Sequence, residues 1–325
     1  LMLSHARGGE SPASQESVNA AERGAALRKL GLYLVLVMIY TFGVNGVLRA
    51  DLFLLKSLLA GSEGAALDSD MVAGVYAAML NLARLPYQAV IAVTFVVFPM
   101  ISRATFESDM EATRGYIRGT LRYSFLLLSL LGVLIAGNSE ELVLALYGER
   151  FVEGAAPLML LSLATIGFAL FFITTTMITG AGKPVVSVAL ALVMMAVTAG
   201  LNYGLIQGAL GSGEAGLLMN AAATATAGAM VSGCVAAVGY LVWRFKAGLP
   251  LLTLARGGVG AALVFAALLV TPTPEDAGRV MTLALVVGKG AVGAALFTGW
   301  LALTREFGPE DMDRLGRIMK RKSRA

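Results

Sequence analysis

Apolar residues fall along this chain in blocks of roughly twenty to thirty, the length a helix needs to cross a hydrocarbon layer, and not in the two-residue alternation of half-buried strands. Eight such blocks predict eight helices, over 30–59, 71–101, 116–136, 155–179, 185–207, 215–243, 251–270 and 280–303. Arg49, Asp51 and Lys56 interrupt the first block. The second is longer than one crossing requires, and Pro86 mid-way predicts a kink there. The stretch ELVLALYGERFVEG, over 141–154, is amphipathic but too short and too charged to cross, so it predicts an interfacial helix on the outer side.

Composition sharpens the class. Hydrophobic residues make up 57% of the chain, charged residues only 14%, and mean hydropathy is +0.77, whereas soluble domains carry about 25% charged residues. Helices satisfy their own backbone hydrogen bonds and so tolerate lipid. The expected fold is an all-α integral membrane bundle of about eight transmembrane helices. Cys234 is the only cysteine and His5 the only histidine, which leaves no disulfide and no metal-ligand spacing. No cofactor is expected. The segment 1–29 is polar, rich in Ala, Ser and Gly, and has no apolar core, so it reads as a cytoplasmic linker or leader and not a signal peptide. Its character raises the expectation that the chain is the C-terminal part of something longer. GAGKP at 180–184 is not a phosphate loop: Met177 stands where a glycine is required, and Pro184 where a Ser or Thr is required.

Charge orients the helices. If the blocks alternate direction, Arg23, Arg28, Lys29, Arg103, Arg114, Arg118, Arg122, Lys183, Arg244, Lys246 and Arg256 fall on one side. The basic tail over 305–325 joins them. The opposite loops hold only Arg150 and Arg279, with Lys56 near a boundary. That asymmetry predicts cytoplasmic termini. The pI near 9.2 follows from these flanks, so membrane lipid is the expected partner of the basic tail and nucleic acid is not. The small residues of AAATATAGAMVSGCVAAVG in the sixth block suit close helix packing.

Polar groups inside apolar helices are costly, so function is sought there. Asn45, Arg49 and Lys56 are spaced four and seven apart, along one helical face; Asp51 lies roughly opposite Arg49. Asn81, Arg84 and Gln88 share a face of the second block. Deep cations outnumber deep acids. Such a surface suits an anionic ligand such as a diphosphate, which arginine grips bidentately. The competing structural readings are that Arg49 and Lys56 snorkel to an interface, and that Arg84 bridges to Asp51. Lys289, in the eighth block, has no apparent acid partner.

LRADLFLL at 48–55, YAAMLNLARLPYQAVIAVTFVVFPMIS at 76–102, LYGERFVEGAAPLMLLSL at 146–163 and ITGAGKP at 178–184 occur in an order and spacing with a further meaning. Together they resemble the polysaccharide-biosynthesis, lipid-linked oligosaccharide flippases of the multidrug/oligosaccharidyl-lipid/polysaccharide exporter superfamily. The resemblance implies two six-helix lobes around a cavity, often with two extra helices. This chain would then hold the C-terminal six-helix lobe at 30–243, an additional helix pair at 244–304 and the basic cytoplasmic tail, with the N-terminal lobe missing. It implies multi-pass insertion in a bacterial cytoplasmic (inner) membrane, and no enzymatic activity. The implied function is transport, by alternating access, of a polyprenyl-diphosphate-linked oligosaccharide for cell-surface polysaccharide or lipopolysaccharide assembly, with coupling to a proton or sodium gradient. Arg49, Asp51 and Arg84 match charged positions of such flippases. The alternatives are a lipid II-type flippase, a multidrug exporter and, from another class, a membrane polysaccharide polymerase or glycosyltransferase.

Overall fold

The computed structural model describes residues 12–61, 67–271 and 278–306, and among them every regular element is helical. The helices are α1 (Pro12–Ala60), α2 (Ser69–Ala83), α3 (Leu85–Phe106), α4 (Met110–Gly137), α5 (Ser139–Leu146), α6 (Ala155–Gly180), α7 (Pro184–Ala209), α8 (Ala215–Phe245), α9 (Leu251–Val270) and α10 (Arg279–Leu303). Eight helical stretches are long and apolar enough to cross a membrane, one in each apolar block. The chain folds as an all-α, multi-pass membrane bundle. His5 and the basic tail from residue 307 lie outside the described residues.

Local chemistry sets the ends. The Asp68 carboxylate accepts from the Asp70 and Met71 N–H groups to start α2, and Asp109 accepts from Ala112 N to start α4. Pro184 opens α7 where its missing N–H costs nothing. Lys246 ends α8 in the left-handed conformation, φ 56°. Three departures from the sequence expectation stand out. The helix of the first block reaches back through the polar leader to Pro12, and its 49 residues extend about 74 Å, far beyond the roughly 30 Å of hydrocarbon. The second block divides into α2 and α3 at Arg84, with Pro86 seated in the first turn of α3 and not at the centre of a continuous helix. The amphipathic stretch at 141–154 splits into α5 and a 3-10 turn over Glu149–Gly154.

The central helix α6 packs against α2, α3, α4, α7 and α8. Phe168, Phe171, Ile173 and Met177 on it are fully buried. Lipid gives apolar helices no hydrophobic reason to associate, so close van der Waals contact supplies the attraction. A Cβ on Gly167 would meet the Met230 carbonyl oxygen at 3.3 Å, which shows how nearly the α6 and α8 backbones touch. Ala222, Ala225, Ala229, Gly233 and Ala237 form the buried stripe of α8, the packing role expected of its small residues.

The pair α9–α10 joins the bundle through α4 and α5. Arg114 Nε donates to the Phe245 carbonyl at 2.9 Å, and Arg118 reaches the Lys246 carbonyl at 3.4 Å. One turn further, Arg122 Nε donates to Glu306 Oε1 at 3.0 Å and its other arm to the Glu306 carbonyl. Arg256 completes the cluster at 3.1 Å, and the Thr253 hydroxyl also donates to the same carboxylate. Near the middle of α10, Lys289 Nζ sits 2.8 Å from Glu141 Oε1, so the acid partner that the sequence left unassigned comes from α5.

Candidate functional site: an uncovered cationic face and a buried acid

On α1, Phe42, Asn45, Arg49, Phe53 and Lys56 are exposed; on the neighbouring α2–α3 arm, Asn81, Leu85 and Gln88 are exposed and Arg84 half-buried. Helical spacing gathers these residues on faces that no other described element covers. Asn45 bonds back to the Thr41 carbonyl at 2.8 Å, which quiets its donor without hiding its side chain. Lys56 instead pairs at 2.9 Å with exposed Asp70 at the end of α1. An exposed pair of this kind contributes little to stability, and it sets Lys56 apart from the deeper cations.

Arg84 is held at the break between α2 and α3. Its N–H still bonds to Leu80 O at 3.2 Å and its carbonyl accepts from Gln88 N at 3.2 Å, so two rungs persist at the bend although Pro86 has no N–H to give. Its guanidinium crosses to α1 and donates to the Leu48 carbonyl. Among the described residues that is one hydrogen bond for a group with five donors. Asp51 first, and Arg49 after it, stand near enough to act on Arg84 electrostatically. An exposed Arg49 and a half-buried Arg84 therefore lie near the same turn of α1.

Asp51 turns the other way. It is 1% exposed, and among the described residues it makes no salt bridge with Arg84, the competing structural reading of that pair. One carboxylate oxygen accepts from Leu52 N at 2.8 Å; the other accepts from Tyr76 OH at 3.1 Å and Thr226 Oγ1 at 3.3 Å. Asn202 Nδ2 donates to Thr226 Oγ1 at 3.1 Å and to the Thr198 carbonyl at 2.9 Å, while its Oδ1 is buried with no partner among the described residues. A buried carboxylate needs donors, and hydroxyl groups on α2 and α8 supply them where a cation was expected. Tyr76, Thr226 and Asn202 were not singled out from the sequence. Asn202 carried the clearest signal, as an amide in the middle of an otherwise apolar stretch.

Leu48 O and Leu52 N belong to the same turn of α1. Arg84 addresses its carbonyl end and Asp51 its N–H end, so the uncovered face and the buried network meet at that turn. Comparison of the chain with known protein families and with curated proteins finds no match to either.

Proposed function

We propose that this chain forms one wall of a transport cavity for an anionic lipid-linked substrate, as a lobe of a flippase for polyprenyl-diphosphate-linked oligosaccharides in cell-surface polysaccharide assembly. The observation that carries the reading is the pair of cations set between apolar stretches, Arg49 exposed on α1 and Arg84 half-buried at the α2–α3 break. A cation at the centre of a crossing helix costs about 2.5–3.5 kcal/mol on insertion scales, and cations among apolar segments meet part of that cost. A diphosphate offsets that cost by bidentate pairing, while apolar walls tolerate its lipid tail. A second lobe closes the cavity from the other side, and rocking of the two lobes moves the substrate between leaflets. The charge asymmetry of the loops supports a bacterial cytoplasmic membrane with cytoplasmic termini.

Asp51 takes the coupling cation, a proton or sodium. Its burial, the hydroxyl groups of Tyr76 and Thr226, and the unpartnered Asn202 Oδ1 support that role. A multidrug exporter for cations is less well supported, because Asp51 lies behind the cationic face and not on it. A polymerase or glycosyltransferase would need an acid pair on that face, where the described residues show cations and amides.

Farnesyl diphosphate is a short-chain probe for the cationic face. The chain in detergent is expected to bind it, and Arg49→Ala or Arg84→Ala to weaken binding about tenfold or more, the loss of a charge-assisted hydrogen bond. Unchanged affinity in both variants would overturn the reading.

A further inference from the structure

An outward-facing groove of about 350 Å³ runs between α3 and α4. It lies on the flank of α3 turned away from α1. Phe98 faces the α1 side, and Met100, two positions and about 200° further round α3, lines the groove. Gly115 and Gly119 of α4 leave it open, since a Cβ on either would meet nothing within 4 Å. From Gly115 to Leu127 the groove descends about 18 Å along α4, close to the depth of one leaflet in a hydrocarbon layer of about 30 Å. Ser124 is 4% exposed and lines the groove with Thr120, and neither hydroxyl is bonded to a described residue. Hydroxyl groups in apolar helices usually bond back to their own turn, as those of Ser162 and Thr165 do. Here two donors, one turn apart, are left to the groove.

A cation stands at the mouth. Arg103, one turn beyond Met100, is exposed and within electrostatic reach of Tyr116, which also lines the groove. Its pair with Glu107 at 2.9 Å joins two exposed groups and holds it weakly, whereas Arg114 and Arg118 are taken up by the end of α8. The groove thus offers, from mouth to floor, a guanidinium beside a tyrosine, two hydroxyl donors and an apolar channel that ends at Leu127. A glycerophospholipid has the complementary parts in the same order: a phosphate, two ester carbonyls a few ångströms beneath it, and acyl chains below. A helix from a second copy would fill the channel but bring no acceptor to Thr120 and Ser124, because its carbonyls are used in its own ladder. We propose that this groove binds one glycerophospholipid from the leaflet beside the basic loops. Arg103 and Tyr116 hold its phosphate, Thr120 and Ser124 donate to its ester carbonyls, and one acyl chain follows α4 to Leu127. The proposal stands apart from the flippase reading, since the groove faces away from α1 and Arg49.

The test titrates the delipidated chain in detergent with dioleoyl phosphatidylglycerol and, separately, with dioleoylglycerol, which keeps the esters and chains but lacks the phosphate. Native mass spectrometry counts the bound copies. The first copy of the phospholipid is expected to bind about tenfold tighter than the diacylglycerol. Gly119→Leu places a side chain in the open groove and is expected to weaken that first copy about tenfold or more. It should melt no lower than wild type, because leucine is the better helix former. Ser124→Ala, which removes only a hydroxyl oxygen, is expected to weaken the first copy about threefold and provides a second variant should Gly119→Leu fold poorly. Wild-type affinity in both variants would overturn the proposal, as would equal affinity of the two probes for the unaltered chain. A dimer that Gly119→Leu abolishes would also overturn it, since the groove would then be an interface between copies.

Discussion

Arg84 and Asp51 are opposite charges on adjacent helices, yet each spends its hydrogen bonds elsewhere: Arg84 on the Leu48 carbonyl, Asp51 on Tyr76 and Thr226. This division predicts how their variants differ. Tyr76→Phe removes a buried donor to a carboxylate and is expected to destabilise the chain by about 1.5–3 kcal/mol, seen as a lower melting temperature. Asp51→Asn in the same background should recover part of that loss, because a neutral amide needs the hydroxyl less. Arg84→Ala is expected to leave melting within about 0.5–1 kcal/mol of wild type, since the buried Asp51 keeps its hydrogen bonds to Leu52 N, Tyr76 and Thr226. If Arg84→Ala lowered stability as much as Tyr76→Phe and Asp51→Asn rescued it, Arg84 would be the structural bridge after all. The spacing of Arg49, Arg84, Asn81 and Gln88 could be read from the chain because helical periodicity fixes which residues share a face. The partners of Asp51 could not, because they depend on which helices pack around α1, and hydroxyl groups in apolar helices usually bond back to their own turn.

At the scale of elements, α4 acts as a clamp. Arg114, Arg118 and Arg122 recur every fourth residue and hold, in turn, the end of α8, the residue that caps it and the carboxylate beyond α10. Cations suit the first two positions because a helix C-terminus carries partial negative charge. Burial pushes the Glu306 carboxyl up, but the hydrogen bonds from Thr253, Arg256 and Arg122 outweigh it and hold it below the usual carboxylate range. A carboxylate with a depressed folded value stabilises the protein above its unfolded value near pH 4.3 and loses that contribution as pH falls through the folded one. Melting temperature is therefore expected to fall as acid is added below about pH 4, and Glu306→Gln to be less stable at neutral pH with a shallower acid limb. A parallel acid limb in Glu306→Gln would place the sensitivity at another group. The cations of this clamp could be placed on one side from sequence alone. Glu306 could not be identified as their partner, because 184 positions separate it from Arg122.

At the scale of the whole molecule, the eight apolar blocks and the crossing helices correspond one to one, since block length against bilayer thickness is a strong signal. The division of the second block was less visible. Proline marked the region, but the break sits two residues earlier, where Arg84 turns to α1. The proposed orientation rests on the basic loops. Single cysteines at Arg114 and Ser212 in a Cys234→Ser background are expected to be protected and labelled, respectively, by an impermeant thiol reagent in intact cells. The reverse pattern would invert the bundle. The account as a whole turns on transport. Flipping of a polyprenyl-diphosphate-linked oligosaccharide across proteoliposomes, with the lobe that covers the Arg49–Arg84 face present, is its most direct test. Wild type is expected to flip, Arg84→Lys to retain part of the rate because a point charge replaces a planar fork, and Arg84→Ala to lose it at unchanged abundance. Normal flipping by well-folded Arg84→Ala would contradict the account.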